Sequence, residues 1–133
     1  MNASALQKTL YAALTAHAPL MALVSGVYDQ PGPAAARPYV TIGDLFVSDW
    51  SSGSFTGAEA RQTLDVWTAA FGQQTARDIL GALTGALATL PAQTASDRIV
   101  SARVTGWRLI ADPEGDALHG VLDVRLRLHP LGV

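Results

Sequence analysis

The sequence contains no cysteine, which excludes disulfides, thiol catalysis and cysteine-ligated zinc. It is also poor in charge, with only 15% of residues Asp, Glu, Lys or Arg. Lys8 is the sole lysine and the arginines form no basic run, so binding of nucleic acid by phosphate neutralisation has little support. No apolar run approaches the ~20 residues a helix needs to span a bilayer. The stretch from Met1 to Leu14 lacks the charged start and continuous apolar centre of a signal peptide. The expected compartment is therefore the cytoplasm of the producing cell.

What is present suits one folded unit spanning 1–133. The length matches a single domain, and 49% of the residues are hydrophobic, the opposite of a disordered composition. A chain of this size hides roughly two thirds of the surface it exposes when unfolded. The net charge is −2, and so few charges leave a surface of the kind often covered by partners. An alanine-rich sequence yields the same statistics without one.

Apolar spacing divides the chain. Leu6, Leu10 and Leu14, with Ala13 beside them, form one helical stripe beginning near Ala3 or Ser4. Pro19 suits the first turn of a short second helix carrying Leu20, Leu23 and Val24, with Gly26 as its expected C-terminal cap. Val27 and Tyr28 suggest a brief strand, and the prolines between Gln30 and Pro38 an irregular connection.

Tyr39 to Val47 reads as a strand whose alternation breaks. Val40 and Ile42 share a face, whereas Leu45 and Val47 have the opposite parity. A β-bulge at Gly43–Asp44 reconciles them. Ser48 to Ala60, rich in Ser and Gly, is expected to be a long loop or flexible hairpin arm, with Gln62 to Ala70 as the returning strand. There Leu64 and Val66 face one way and Asp65 and Trp67 the other.

Ala76, Ile79, Leu80, Leu83 and Leu87 predict a helix from Gln73 to Thr89, with Pro91 just beyond it. Gly81 and Gly85 weaken this helix by about 1 kcal/mol each relative to alanine. They are either tolerated surface positions or points of close approach. Arg98 to Ala111 reads as a strand with Val100, Ala102 and Val104 on one face and a second bulge near Gly106, after which Trp107 and Leu109 carry the apolar parity. Asp112-Pro113-Glu114-Gly115 has the residues of a tight turn. In the last strand, Ala117 to His129, Leu118, Leu122, Val124, Leu126 and Leu128 face the core, while His119, Asp123, Arg125, Arg127 and His129 face away. The expected fold is α+β: a mostly antiparallel sheet, two main helices packed on one face, and a long hairpin arm.

The residues that could carry chemistry do not assemble into a site. His119 and His129 stand ten positions apart on one strand, about 33 Å, too far to share a metal, and His17 lies at a helix end. No serine sits in a Gly-x-Ser-x-Gly elbow and no glycine-rich phosphate loop is present. Asp44, Asp49, Glu59 and Asp65 gather around the hairpin, where solvated charge is the ordinary reading and a glycosidase-like pair the sharper one. Trp50 and Phe55 sit in the Ser/Gly stretch outside any core periodicity. They suit either a contact with another protein or a satellite cluster folded back under the loop.

Taken in order, several of these pieces resemble a family of tailed-phage tail-completion proteins, the tail terminators, which also occur in prophages and gene transfer agents. The resemblance covers almost the whole chain. It rests on the Leu6, Leu10, Leu14 helix, on Val27-Tyr28-Asp29 before the proline-rich connection, and on Pro38-Tyr39-Val40-Thr41-Ile42-Gly43. Leu64-Asp65-Val66-Trp67-Thr68 and the Asp112-Pro113-Glu114-Gly115 turn leading to His119-Gly120 complete it. Gln62 departs from the pattern, standing where relatives often carry a histidine.

The resemblance implies a structural protein of the virion at the tail–neck junction, assembled in the host cytoplasm and not an enzyme. It implies a hexameric ring that caps the tail tube and joins it to the head-side neck or stopper protein. DNA passes through the lumen without specific binding, and neither a cofactor nor a membrane is involved. A closed ring requires a head-to-tail contact between two different patches. Trp50, Phe55, Asp49 and Glu59 are the expected assembly contacts, and Asp44 and Asp49 the expected lumen-facing acidic residues. The alternatives are another head–tail connector, such as a stopper, or a tail-tube subunit. A small enzyme or ligand-binding module using the hairpin carboxylates would instead need a pocket with convergent polar groups.

Overall fold

The computed structural model describes residues 1–111 and 115–132. The chain runs α1 (Ala3–Ala16), α2 (Ala18–Met21), β1 (Val27–Tyr28), β2 (Tyr39–Asp49), β3 (Ala58–Ala69), α3 (Gln73–Leu87), β4 (Asp97–Ala111) and β5 (Ala117–Pro130). The strands form one sheet in the order β1-β2-β3-β5-β4. Every pairing is antiparallel except that of β1 with β2. The fold is α+β, as expected. Among the described residues no helix is long and apolar enough to cross a membrane.

The helices cover one face. Leu6, Leu10 and Leu14 of α1, and Ala76, Ile79, Leu80, Leu83, Ala86 and Leu87 of α3, are buried. They pack against Val40, Ile42, Leu64, Val66, Leu122, Val124, Leu126 and Leu128 of the sheet. Each fully buried Leu, Ile or Val contributes roughly 1.5–3 kcal/mol relative to exposure, so this one layer contact supplies most of the stabilisation. Asn2 caps α1 by accepting the Ala5 N–H at 3.0 Å.

The bulge expected at Gly43–Asp44 is present: the β2–β3 register shifts between Ile42 and Leu45. A Cβ at Gly43 would run into an Asp65 carboxylate oxygen and lie 3.3 Å from the Thr63 carbonyl oxygen, so a larger residue at this close approach would have to displace the Asp65 side chain. The buried Gln62 side chain secures the irregularity. Its amide nitrogen donates to the carbonyl oxygens of Gly43 (3.0 Å), Asp44 (3.2 Å) and Thr63 (2.8 Å).

Several expectations require correction. Of the two readings of Ser48 to Ala60, the long β-hairpin arm holds and the long loop does not, because β2 runs to Asp49 and β3 begins at Ala58. Only residues 50–57 connect them. The second helix stops at Met21 with Ala22 as its cap; Gly26 does not close it, and Leu23 is exposed. The register of β4 shifts not only at Gly106 but also between Ile99 and Ser101. This extra bulge takes Val100 off the core face to 47% exposure, leaving Ile99, Ala102, Val104 and Leu109 against the core. Trp107 shares the parity of Leu109 but is half exposed at the sheet margin. Gly85 approaches the His17 ring, where an added Cβ would lie 3.2 Å from Nε2, whereas Gly81 borders open space. Of the expected Asp112–Gly115 turn, Asp112, Pro113 and Glu114 lie outside the described residues. Gly115 has φ of 78°, the left-handed region that favours glycine.

Candidate assembly surface

The hairpin connection folds back on its own sheet. Phe55 stacks on His129 with centroids 4.6 Å apart, and Trp50 meets Phe55 edge-on at 5.2 Å. The Arg127 guanidinium lies 5.0 Å from the centre of the Trp50 ring. Paired backbone hydrogen bonds between Ser52 and Phe55 (2.9 and 3.0 Å) and one from Trp50 N–H to the Gly57 carbonyl (2.9 Å) shape the tip. Of the two readings open for Trp50 and Phe55, the structure shows the satellite cluster. Both rings nevertheless keep part of their surface open, Phe55 the more.

Strand alternation sends a second group of residues to the sheet face that no helix covers. Arg61, Arg125 and Arg103 stand directly opposite one another across β3, β5 and β4. Like charges in that arrangement destabilise a sheet. Glu59 compensates: its carboxylate lies 3.3 Å from Arg127 Nε, 3.6 Å from Arg61 and 3.7 Å from Arg125 Nε. The Arg125 Nε is buried and has no hydrogen bond within 3.5 Å. Arg98 and Arg108 share this face through their pairing with His129 and Val121. Six of the eight arginines therefore gather on one side of the sheet, a clustering that is invisible in a sequence without basic runs.

Further along the same face, the Asp65 carboxylate lies 2.6 Å from His119 Nε2. The His119 ring is stacked on Trp67, whose indole N–H donates to the Thr41 hydroxyl at 3.3 Å. The four carboxylates expected near the hairpin therefore have different surroundings. Asp65 holds a histidine and Glu59 holds arginines, while Asp44 and Asp49 are exposed on β2, Asp49 accepting a bond from Ser51 at 2.7 Å. Among the described residues no group of three or more His, Cys, Asp or Glu is placed to hold a metal ion. His17 lies between α1 and α2, apart from the other two histidines.

One titratable group is strongly embedded. Asp97 is 2% exposed. Burial pushes its carboxyl up, but the Asn2 N–H at 3.0 Å, the Ser96 hydroxyl at 2.7 Å and the Met1 ammonium at 3.8 Å outweigh it and hold the carboxyl below its ordinary value. This cluster ties the start of α1 to the start of β4 and is structural.

The edges of the sheet are the feature that residue patterns missed. β1 covers only Val40 and Thr41 of β2. Beyond them Leu45, Phe46 (63% exposed) and Val47 are exposed in succession. On the opposite margin β4 exposes Val100, Trp107 and Ile110. Apolar residues were legible at all these positions, but nothing local indicated that helices would leave them uncovered.

Residues 8–129 match the family described as tail completion protein gp17. The chain is 29% identical to tail completion protein gp17 of Bacillus phage SPP1 over 125 residues, which is 94% of this chain and 92% of that protein. Its structure is similar to that of a chain in the virion of a native gene transfer agent particle, with a TM-score of 0.84, 33% identity and 96% of each chain covered. It is also similar to the solved structure of bacteriophage SPP1 gp17, with a TM-score of 0.62, 29% identity, and 92% of this chain and 88% of that one covered.

Proposed function

The chain belongs to the tail completion protein gp17 family, and from that premise we propose that it is a structural virion protein that works as a tail terminator. In this reading copies of the chain form a ring, expected to be hexameric, that caps the tail tube and joins it to the head-side neck while DNA passes through the lumen. The observation that carries the reading is the similarity over nearly the full length to a chain of an assembled gene transfer agent particle. The residue chemistry agrees with it. On the uncovered sheet face the Glu59 and Asp65 carboxylates are taken up by arginine and histidine side chains, and apolar side chains stand exposed at both margins of the sheet.

The test is where the purified protein binds. A terminator attaches to the ends of purified tail tubes. Binding to portal-bearing heads alone would make it a stopper, and incorporation along the tube would make it a tube subunit. The tip carrying Trp50 and Phe55 belongs to the proposed contact with the adjacent subunit or the tube. Replacing both residues with alanine is expected to abolish tail joining, and unchanged joining would remove the tip from the contact.

A further inference from the structure

The two margins of the sheet carry exposed apolar side chains together with charges of opposite sign. On β2, the exposed residues past the short β1 pairing include Asp44, Leu45, Phe46, Val47 and Asp49, and both charges are negative. On β4, Arg98, Arg103 and Arg108 are exposed beside Val100, Trp107 and Ile110, and all three charges are positive. Past Ile99, whose N–H is taken by the Ala92 carbonyl, no strand lies outside β4 among the described residues. Neither strand contains the proline that often blunts an exposed edge.

The strand directions and levels also match. β2 opposes β3, β3 opposes β5 and β5 opposes β4, so β2 and β4 run in opposite senses. A second copy that continued the sheet would lay its β4 antiparallel to β2. Following the register across the sheet, Leu45 is level with Val104, and Asp49 with Ile99. An unstaggered neighbour therefore brings Arg103 level with Phe46, Ala102 level with Val47 and Ile99 level with Asp49, with Arg103 and Arg108 to either side of Asp44.

We propose that the β4 edge of one copy docks on the exposed half of β2 of the next, setting Arg103 and Arg108 about Asp44 beside the apolar Leu45, Phe46 and Val47. The contact joins two different patches, so it is head-to-tail and propagates around a ring. It rests on the ring reading above and names the surfaces that form the ring. It assigns Asp44 and Asp49 to the subunit contact in place of the lumen wall.

Charge reversal tests it. Arg103→Glu with Arg108→Glu disables one patch, and Asp44→Lys with Asp49→Lys disables the other. Native mass spectrometry of the wild type, alone and bound to purified tail tubes, is expected to show a closed oligomer. Each double variant should lose it, and an equimolar mixture should regain it, because the reversed patches complement each other and the native ones still meet. Variants that assemble like the wild type, or folded variants that fail to rescue each other, overturn the edge assignment and leave the ring standing. A wild type that stays monomeric on tubes overturns the ring and this contact together.

Should a charge-reversed variant not fold, cysteine linking in this cysteine-free chain gives a second reading. A Ser48→Cys, Ser101→Cys double variant, at positions level with each other in the proposed contact, treated with a short bis-maleimide is expected to form a ladder of linked copies, and either single variant at most a dimer. Absence of the ladder in an assembled oligomer excludes the contact.

Discussion

The Trp67 indole and the His119 imidazole, directly opposite each other on β3 and β5, lie face to face with centroids 3.9 Å apart and planes 7° from parallel. The stack fixes the ring so that Nε2 meets Asp65. His119→Ala should destabilise the fold by about 1–3 kcal/mol through the partner lost to Asp65. His119→Phe keeps the stack without the hydrogen bond and should recover about 0.5–1.5 kcal/mol of that. Urea unfolding followed by tryptophan fluorescence measures both, and equal losses in the two variants would mean that the stack contributes nothing.

Gln62 satisfies the carbonyl oxygens that the β2 bulge turns away from the ladder. Gln62→Leu should cost about 1–3 kcal/mol by leaving these acceptors unpaired. Gln62→His, which retains a ring N–H donor, should cost less. Denaturant midpoints rank the two, and a leucine variant as stable as the wild type would show that solvent reaches the bulge.

Glu59 faces three guanidinium groups with 14% of its side chain exposed. Glu59→Gln should destabilise by about 1–2 kcal/mol, above a solvent-exposed pair and below a fully buried one. The deficit should shrink as salt is added, because salt screens the repulsion among Arg61, Arg125 and Arg103. A deficit independent of salt would point to packing as its cause.

Asp97 sets a pH response. Its folded carboxyl titrates below the ordinary 3.8. The stabilisation is therefore complete above that value and is lost as pH falls through the lowered folded value. Asp97→Asn should have a lower thermal midpoint than the wild type at about pH 6, and the gap should narrow towards about pH 3. A gap constant across that range would rule out the carboxylate charge as its source.

Much of this architecture was readable from local pattern. The Leu6, Leu10, Leu14 stripe, the alternation from Leu118 to Leu128 and the parity break at Gly43–Asp44 each reflect a periodicity that backbone geometry imposes on neighbours in the chain. The bulge at Val100 escaped because Val100, Ala102 and Val104 alternate as a regular strand would, and only pairing with Leu128 and Arg127 shows the extra residue. Ser48 to Ala60 has the Ser and Gly content of a loop or flexible hairpin arm, so composition does not reveal the order of its tip. What holds it down is His129 and Arg127, which the chain brings back only on the last strand.

The division of labour is clearest on the candidate surface. By itself the sequence determined the fold class, the faces of most strands and the family resemblance, since these depend on residue type and spacing along the chain. Tertiary structure alone decided that Arg61, Arg125 and Arg127 meet at one carboxylate. It also decided that the two margins of the sheet stand uncovered with opposite charge, because strand order and register, not sequence distance, determine which side chains become neighbours.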